Sequence, residues 1–232
     1  MKRDIIGISG KIGSGKDTFA SMFRHHSEYS WEIKKFAYKL KQIVSLLTNI
    51  PIEELEKEEV KNAPLNENWR RWFFVNNGID HDGIFKDFTY PDYFASEDQA
   101  KKNHKYLVEI SGEGKYRIES EVLTPRKILQ ILGTEAGRDL IHPQIWVNCL
   151  FADLHENSNW LITDVRFPNE AKAIKDNGGI LIRINRKSDK ISNHPSETSL
   201  DNYSDWDFIV DNIYDLNYLE QQVISIVKNL NL

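Results

Sequence analysis

Residues 4–18 read DIIGISGKIGSGKDT. The apolar run Ile5-Ile6-Gly7-Ile8 has the character of a short buried strand, and it stops at Ser9-Gly10. A loop with three glycines follows, Gly10, Gly13 and Gly15, then Lys16, then a stretch patterned as the start of a helix. Strand, glycine loop and helix with the spacing G-x-x-x-x-G-K form the arrangement of a phosphate-binding loop. Each part has a physical reason. Glycines let backbone N–H groups turn inward around phosphate oxygens with no Cβ in the way. The helix N-terminus adds partial positive charge. Lys16 brings a full charge to the β- and γ-phosphates. Candidate nucleotide-binding residues are therefore Gly10, Ile12, Gly13, Ser14, Gly15, Lys16, Asp17 and Thr18. One letter departs from the pattern. The motif places Ser or Thr directly after the lysine to hold Mg²⁺; here Asp17 stands there, with Thr18 one further on, and both are metal candidates. A plain glycine turn between a strand and a helix does not explain a lysine at the helix entrance.

Composition narrows the class. The chain has 232 residues, 40% apolar and 28% charged, which suits one large globular domain with a sizeable core. Its net charge of −5 argues against a broad nucleic-acid-binding face. The single Cys149 cannot make an internal disulfide and sits in the apolar stretch WVNCLFADL, so it reads as a small core residue in a chain built for a reducing compartment. No apolar run approaches 18 residues, so no membrane span is expected. The chain enters its first strand by the fifth residue, so no signal peptide is expected.

Along the chain, strands and helices alternate. The first helix is expected over 16–26, with Phe19, Met22 and Phe23 on one face. A strand over 31–36 and an amphipathic helix over 37–47 follow; Lys39 and Lys41 at that helix's first turn read as a solvated face. Residues 51–122 are rich in charge and aromatics and poor in periodicity. They read as an insertion, with a hairpin over 107–118 turning at Gly112-Glu113-Gly114. Arg70 and Arg71 beside Trp69, Trp72 and Phe73 read as local packing with snorkelling arginines. Thr124-Pro125 is a helix start, Thr as N-cap and Pro first in the helix, and Gly133-Thr134 is expected to break or kink that helix. Arg126 and Gln130, four apart, share a face. A helix over 144–155, a strand from Trp160 ending at Asp164, and a helix from Pro168 closed by Gly178-Gly179 come next. A strand over 180–184, a polar flap over 186–205, a strand over 208–210 and a helix over 216–230 complete the chain. This alternation argues a parallel sheet with helices on both faces, with ligands at the C-terminal strand ends.

Three groups of residues should meet there: the glycine loop; Asp164 with Arg166; and Lys41, Arg126, Gln130, Arg138, Arg186 and His194 with Glu197. Asp164 suits orienting Mg²⁺ through water or accepting a proton; the bland reading is an N-cap for the following helix. Arg166 suits a bidentate phosphate clamp; the bland reading is an ion pair with Asp164 or Glu170. Phosphoryl transfer needs in-line positioning and positive charge spread about the moving group, which Lys16 and several arginines would supply.

Taken in order, GISGKIGSGKDTFA, FAYKLKQIV, TPRKILQILGTEAGRDL with Trp146, LITDVRFPNEAKAIKDNGGILIRINR and NHPSE resemble the deoxynucleoside monophosphate kinases of tailed phages. The resemblance covers about 4–48 and 123–230 and leaves out 51–122. The family also writes its loop GKDT. The resemblance implies an α/β P-loop kinase-like three-layer sandwich, residues 1–232 forming one domain with an inserted substrate-side lobe at about 51–122 and a lid at about 186–205. It implies transfer of the ATP γ-phosphoryl to a dNMP with Mg²⁺, in a bacterial or phage-infected host cytoplasm, with no nucleic-acid or membrane partner; analogy adds a homodimer. Carried over by position, the loop and Lys16 hold ATP, and Arg186 leads into the lid. Leu40, Lys41, Arg126, Gln130, Thr134 and Trp146 hold the acceptor nucleotide. Asp164, Arg166 and Glu170 lie between donor and acceptor, with Lys16, Asp164, Arg166 and Arg126 as the catalytic set. His194 and Glu197 fit the lid motif H-x-[ST]-E. Competing readings are a dephospho-coenzyme A or shikimate-type P-loop kinase, a nucleotide-dependent switch ATPase, and a non-enzymatic nucleotide-binding module.

Overall fold

The computed structural model describes residues 4–76, 93–103, 116–155, 159–186 and 195–232. The chain divides into two compact units: Met1–Ile43 with Leu132–Leu232, and Val44–Ile131.

The first unit is built on a parallel sheet. Its five strands are β1 (Ile5–Ser9), β2 (Glu32–Lys34), β6 (Trp160–Val165), β7 (Ile180–Asn185) and β8 (Phe208–Asp211), in the order β2-β6-β1-β7-β8. β1 is central, pairing Ile5 with Trp160 on one side and Ile6 with Ile180 on the other. Successive strand residues face opposite sides, so the apolar run at 5–8 feeds two cores at once. Ile6 and Ile8 pack with Phe19, Ala20 and Phe23 of α1 (Lys16–His26) and with Leu219, Val223 and Val227 of the last helix, α8 (Leu216–Leu230). Ile5 joins Trp160, Ile162 and Val165 on the other face, under Val147 and Leu150 of α5 (Ile145–Phe151) and Ala171 and Ile174 of α6 (Pro168–Asp176). Each such buried aliphatic side chain contributes about 1.5–3 kcal/mol.

Most expected boundaries recur to within a residue or two; the differences have local causes. The strand expected over 31–36 is paired only over Glu32–Lys34, because the N–H groups of Phe36 and Ala37 are spent on the Asp164 carboxylate. They stand just before α2 (Tyr38–Thr48). The helix that begins at Pro125 keeps its Thr124 cap, whose Oγ1 accepts from Lys127 N at 3.2 Å. After α4 (Pro125–Gln130) it widens into a π-helix over Ile131–Ile141 instead of breaking at Gly133. Here Gly137 faces the Trp146 ring so closely that a Cβ would lie 2.9 Å from Cζ2, and the indole N–H donates to Gly133 O at 2.8 Å. The helix expected over 144–155 is shorter, ending in a turn after Phe151. Cys149 is half-buried on it, less enclosed than a core residue.

In the second unit β3 (Arg70–Asn76) pairs antiparallel with β4 (Tyr93–Phe94) and β5 (Tyr116–Val122). The turn of the expected hairpin, 112–114, lies outside the described residues. Arg71 is a packing residue: its guanidinium lies 3.4 Å from the Tyr93 ring centre and pairs with Glu121 at 2.6 Å. A short helix, α3 (Glu58–Asn62), completes the unit's contacts to α4. Among the described residues no helix is long and apolar enough to cross a membrane.

Candidate active site

The loop after β1 is shaped by its glycines. Gly13 and Gly15 sit at φ 76° and 96°, the left-handed region that L side chains rarely adopt. Gly15 also caps α1 with no side-chain hydrogen bond, so the first-turn N–H groups of α1 are not taken by a capping side chain. Lys16 folds back under the loop. Its Nζ donates to Gly10 O at 2.7 Å and Lys11 O at 2.8 Å. Burial first, and then the charge of Arg166, lower the pKa of the ammonium to about 8. Asp17 and Thr18 are exposed on the first turn of α1. Asp17 Oδ1 accepts from the hydroxyl of Thr163 at 3.3 Å and lies 3.4 Å from Lys35 Nζ. These are hard oxygen donors of the kind Mg²⁺ takes, and Mg²⁺ draws its remaining ligands from phosphate and water. Among the described residues no three His, Cys, Asp or Glu side chains gather as a metal cage.

The end of β6 holds the second group. Asp164 caps the start of α2, not α6: its oxygens accept from Phe36 N at 2.8 Å and Ala37 N at 3.0 Å. Burial raises its pKa. Glu170, 2% exposed, accepts from the backbone N–H groups of Arg166 and Phe167 and pairs with Arg138 at 2.9 Å. Burial first, and then the charge of Asp164, push its carboxyl up to about 7. Arg138 also stacks on Phe167, 3.8 Å from the ring centre. Glu170 and Arg138 thus fix the backbone that carries Arg166. The guanidinium of Arg166 pairs with Glu197 of α7 (Pro195–Thr198). The other oxygen of Glu197 accepts from Ile12 N in the glycine loop at 2.9 Å. A carboxylate therefore bridges a loop N–H and an arginine, the two donor types that a terminal phosphate uses.

The remaining expected residues fall into different settings. Leu40 is buried on α2 with its Cδ2 at 3.0 Å from where a Cβ on Gly133 would stand, and Lys41 is half-buried beside it. Lys39 pairs with Asp153 at 2.9 Å. Thr134 is exposed on the π-helix, while Trp146 is buried with its N–H already paired. Arg126 and Gln130 belong to the second unit; Arg126 donates to Asn62 Oδ1 at 2.7 Å and pairs with Glu58, and Gln130 is exposed. Arg186 is exposed at the end of β7. His194 lies outside the described residues.

A family model described as deoxynucleotide monophosphate kinase matches residues 4–223. The chain belongs to that family. The chain is 28% identical to the deoxynucleoside-5'-monophosphate kinase of Escherichia phage T5 over 224 residues, covering 84% of each chain. It is 31% identical over 156 residues to a protein of Acanthamoeba polyphaga mimivirus provisionally named deoxynucleotide monophosphate kinase, covering 57% of this chain and 80% of that one.

Around the glycine loop of this family kinase stand residues that no sequence pattern singled out. Arg183 on β7 donates to Ser9 Oγ at 3.1 Å, and its charge also bears on Lys16. Asp201 pairs with Lys11 at 3.1 Å and lies 3.6 Å from Arg183. Asn212, 6% exposed just past β8, donates from Nδ2 to Ser14 O at 2.9 Å. Arg183 carried a faint signal, a charge inside the apolar strand ILIRIN. Asn212 carried none, since its partner is 198 residues away.

Proposed function

We propose that the chain transfers the γ-phosphoryl group of ATP to a deoxynucleoside monophosphate, giving ADP and a dNDP. The observation that carries this reading is the Lys16–Ile12–Glu197–Arg166 arrangement. One carboxylate there engages a loop N–H and an arginine beside a desolvated lysine. On this reading the N–H groups of residues 10–18 and Lys16 hold the ATP phosphates, and Glu197 releases Ile12 and Arg166 to them. Arg166 then spreads positive charge over the moving group from a backbone that Glu170, itself paired with Arg138, holds in place. Asp164 acts through position: it pins the start of α2, which carries Leu40 and Lys41 toward the acceptor. Thr134 joins them, and Trp146 shapes the wall as a packed ring. On the family pattern alone, Arg126 and Gln130 are assigned to the acceptor, His194 to the substrate side with Glu197, and Arg186 to the donor. Residues 51–122 are read as an inserted lobe that contributes contacts to base choice.

Asp17, with Thr18 or Thr163, would hold Mg²⁺, which supplies charge neutralisation across the phosphate oxygens when bound. The test is an ADP-release assay with ATP and Mg²⁺ over the four dNMPs, AMP, shikimate and dephospho-coenzyme A. Release with one or more dNMPs is expected. No release with any dNMP at millimolar ATP refutes the proposal.

A further inference from the structure

We infer that Asn212 is a positioning residue for the donor phosphates, acting through the Ser14–Gly15 peptide. The inference rests on the kinase reading and deepens it. Asn212 is 6% exposed, and its side-chain amide donates to Ser14 O at 2.9 Å from the far end of the chain. Its own backbone N–H is anchored on Asn185 O at 2.8 Å, so the side chain is presented from a fixed point between β7 and α8. The peptides here are trans. In a planar trans peptide the carbonyl and the following N–H point to opposite sides. Holding the Ser14 carbonyl outward on Asn212 therefore aims the Gly15 N–H the other way, into the concave side of the loop. Gly15 is bound to the same contact. A Cβ there would stand 2.6 Å from Asn212 Nδ2, and φ is 96°. The glycine of the motif and an asparagine remote in sequence thus form one device. The asparagine approaches because the glycine lacks a side chain, and the glycine N–H is oriented because the asparagine approaches.

Merely filling space is the competing role, and a split in constants separates the two. Asn212→Asp keeps the volume and replaces the donor with an acceptor facing the Ser14 carbonyl. Asn212→Ala removes the donor and leaves that carbonyl unpaired. With either variant, the Kd of ATP measured by calorimetry should rise about 10-fold. The KM of the dNMP should stay within about 2-fold of the parent value, as expected for a contact that touches only the donor side. Equal weakening of both substrates, or an unchanged ATP Kd in a folded variant, overturns the inference. If neither variant folds, the Asn212 side-chain amide protons of the parent protein decide by hydrogen exchange. Slow exchange with and without ATP supports the contact, and fast exchange overturns it. ATP binding is read without turnover. Failure of the inference is therefore distinct from failure of the dNMP kinase reading, which the parent enzyme's own activity tests.

Discussion

Arg138 and Arg166 of the parallel-sheet unit are held differently from Arg70 and Arg126 of the unit of Val44–Ile131. In the parallel-sheet unit, Arg138 and Arg166 pair with Glu170 and Glu197, whose side chains are only 2% and 9% exposed. In the unit of Val44–Ile131, Arg70 and Arg126 pair with Glu67 and Glu58, 75% and 60% exposed. A pair shielded from water is stiff, and its loss leaves an uncompensated charge. A pair in water is screened and contributes about 0–1 kcal/mol. Arg138 and Arg166 are thus stiffly held and Arg70 and Arg126 are screened by water, while Arg71, packed on Tyr93, is the second unit's exception.

The largest effect should come from the parallel-sheet unit. Lys16→Ala removes the ammonium that folds back onto the carbonyls of the glycine loop. It should lower kcat by about 1,000-fold or more in a coupled assay, with the fold intact by circular dichroism. Next comes Arg166→Ala. It should cost about 100-fold in kcat while the ATP Kd moves by no more than about 3-fold, because its charge is spent on the moving group. An unchanged rate would take Arg166 out of the site.

The two units should then part in stability. Glu170→Ala leaves Arg138 and two backbone N–H groups without their acceptor. Urea unfolding should show a loss of about 3 kcal/mol. Glu58→Ala, at the exposed pair with Arg126, should lose less than about 1 kcal/mol. Equal losses would erase the contrast between the units.

Much of this was readable in the residues, and the reasons differ by region. The glycine spacing and the 5–8 run dictated the loop and the two-faced central strand, because both signals are local. Thr124-Pro125 announced its own helix for the same reason. Asp164 looked like a catalytic or capping acid, yet its capping partners at Phe36 and Ala37 are over 120 residues earlier. Glu197 was expected in a lid; its bond to Ile12 N depends on the fold bringing α7 to the loop. The π-helix arises from the fit of Gly133 and Gly137 to Trp146, a tertiary contact that helical periodicity does not report.

Protonation supplies the gentlest probe of the parallel-sheet unit's charges. Lys16 has a folded-state pKa lowered to about 8. Free enzyme therefore loses the ammonium as pH rises through that value, and kcat/KM for ATP should fall above pH ~8. ATP binding at pH ~9 should take up protons, seen as a buffer-dependent calorimetric heat. Glu170 carries the opposite sign. Its folded value is raised from 4.5 to about 7, so its contribution to stability is full below 4.5 and is lost as pH rises through 7. The thermal midpoint should climb as pH drops from 8 toward 6, and Glu170→Gln should remove that part of the slope.

The central claim is that a phosphoryl group held at the glycine loop passes to a nucleoside monophosphate and not to water. ATP labelled in its γ-phosphate, incubated with Mg²⁺ and the four dNMPs, follows that group directly. The account predicts label in dNDP with the parent enzyme and none with Lys16→Ala. Label appearing in inorganic phosphate alone would contradict it.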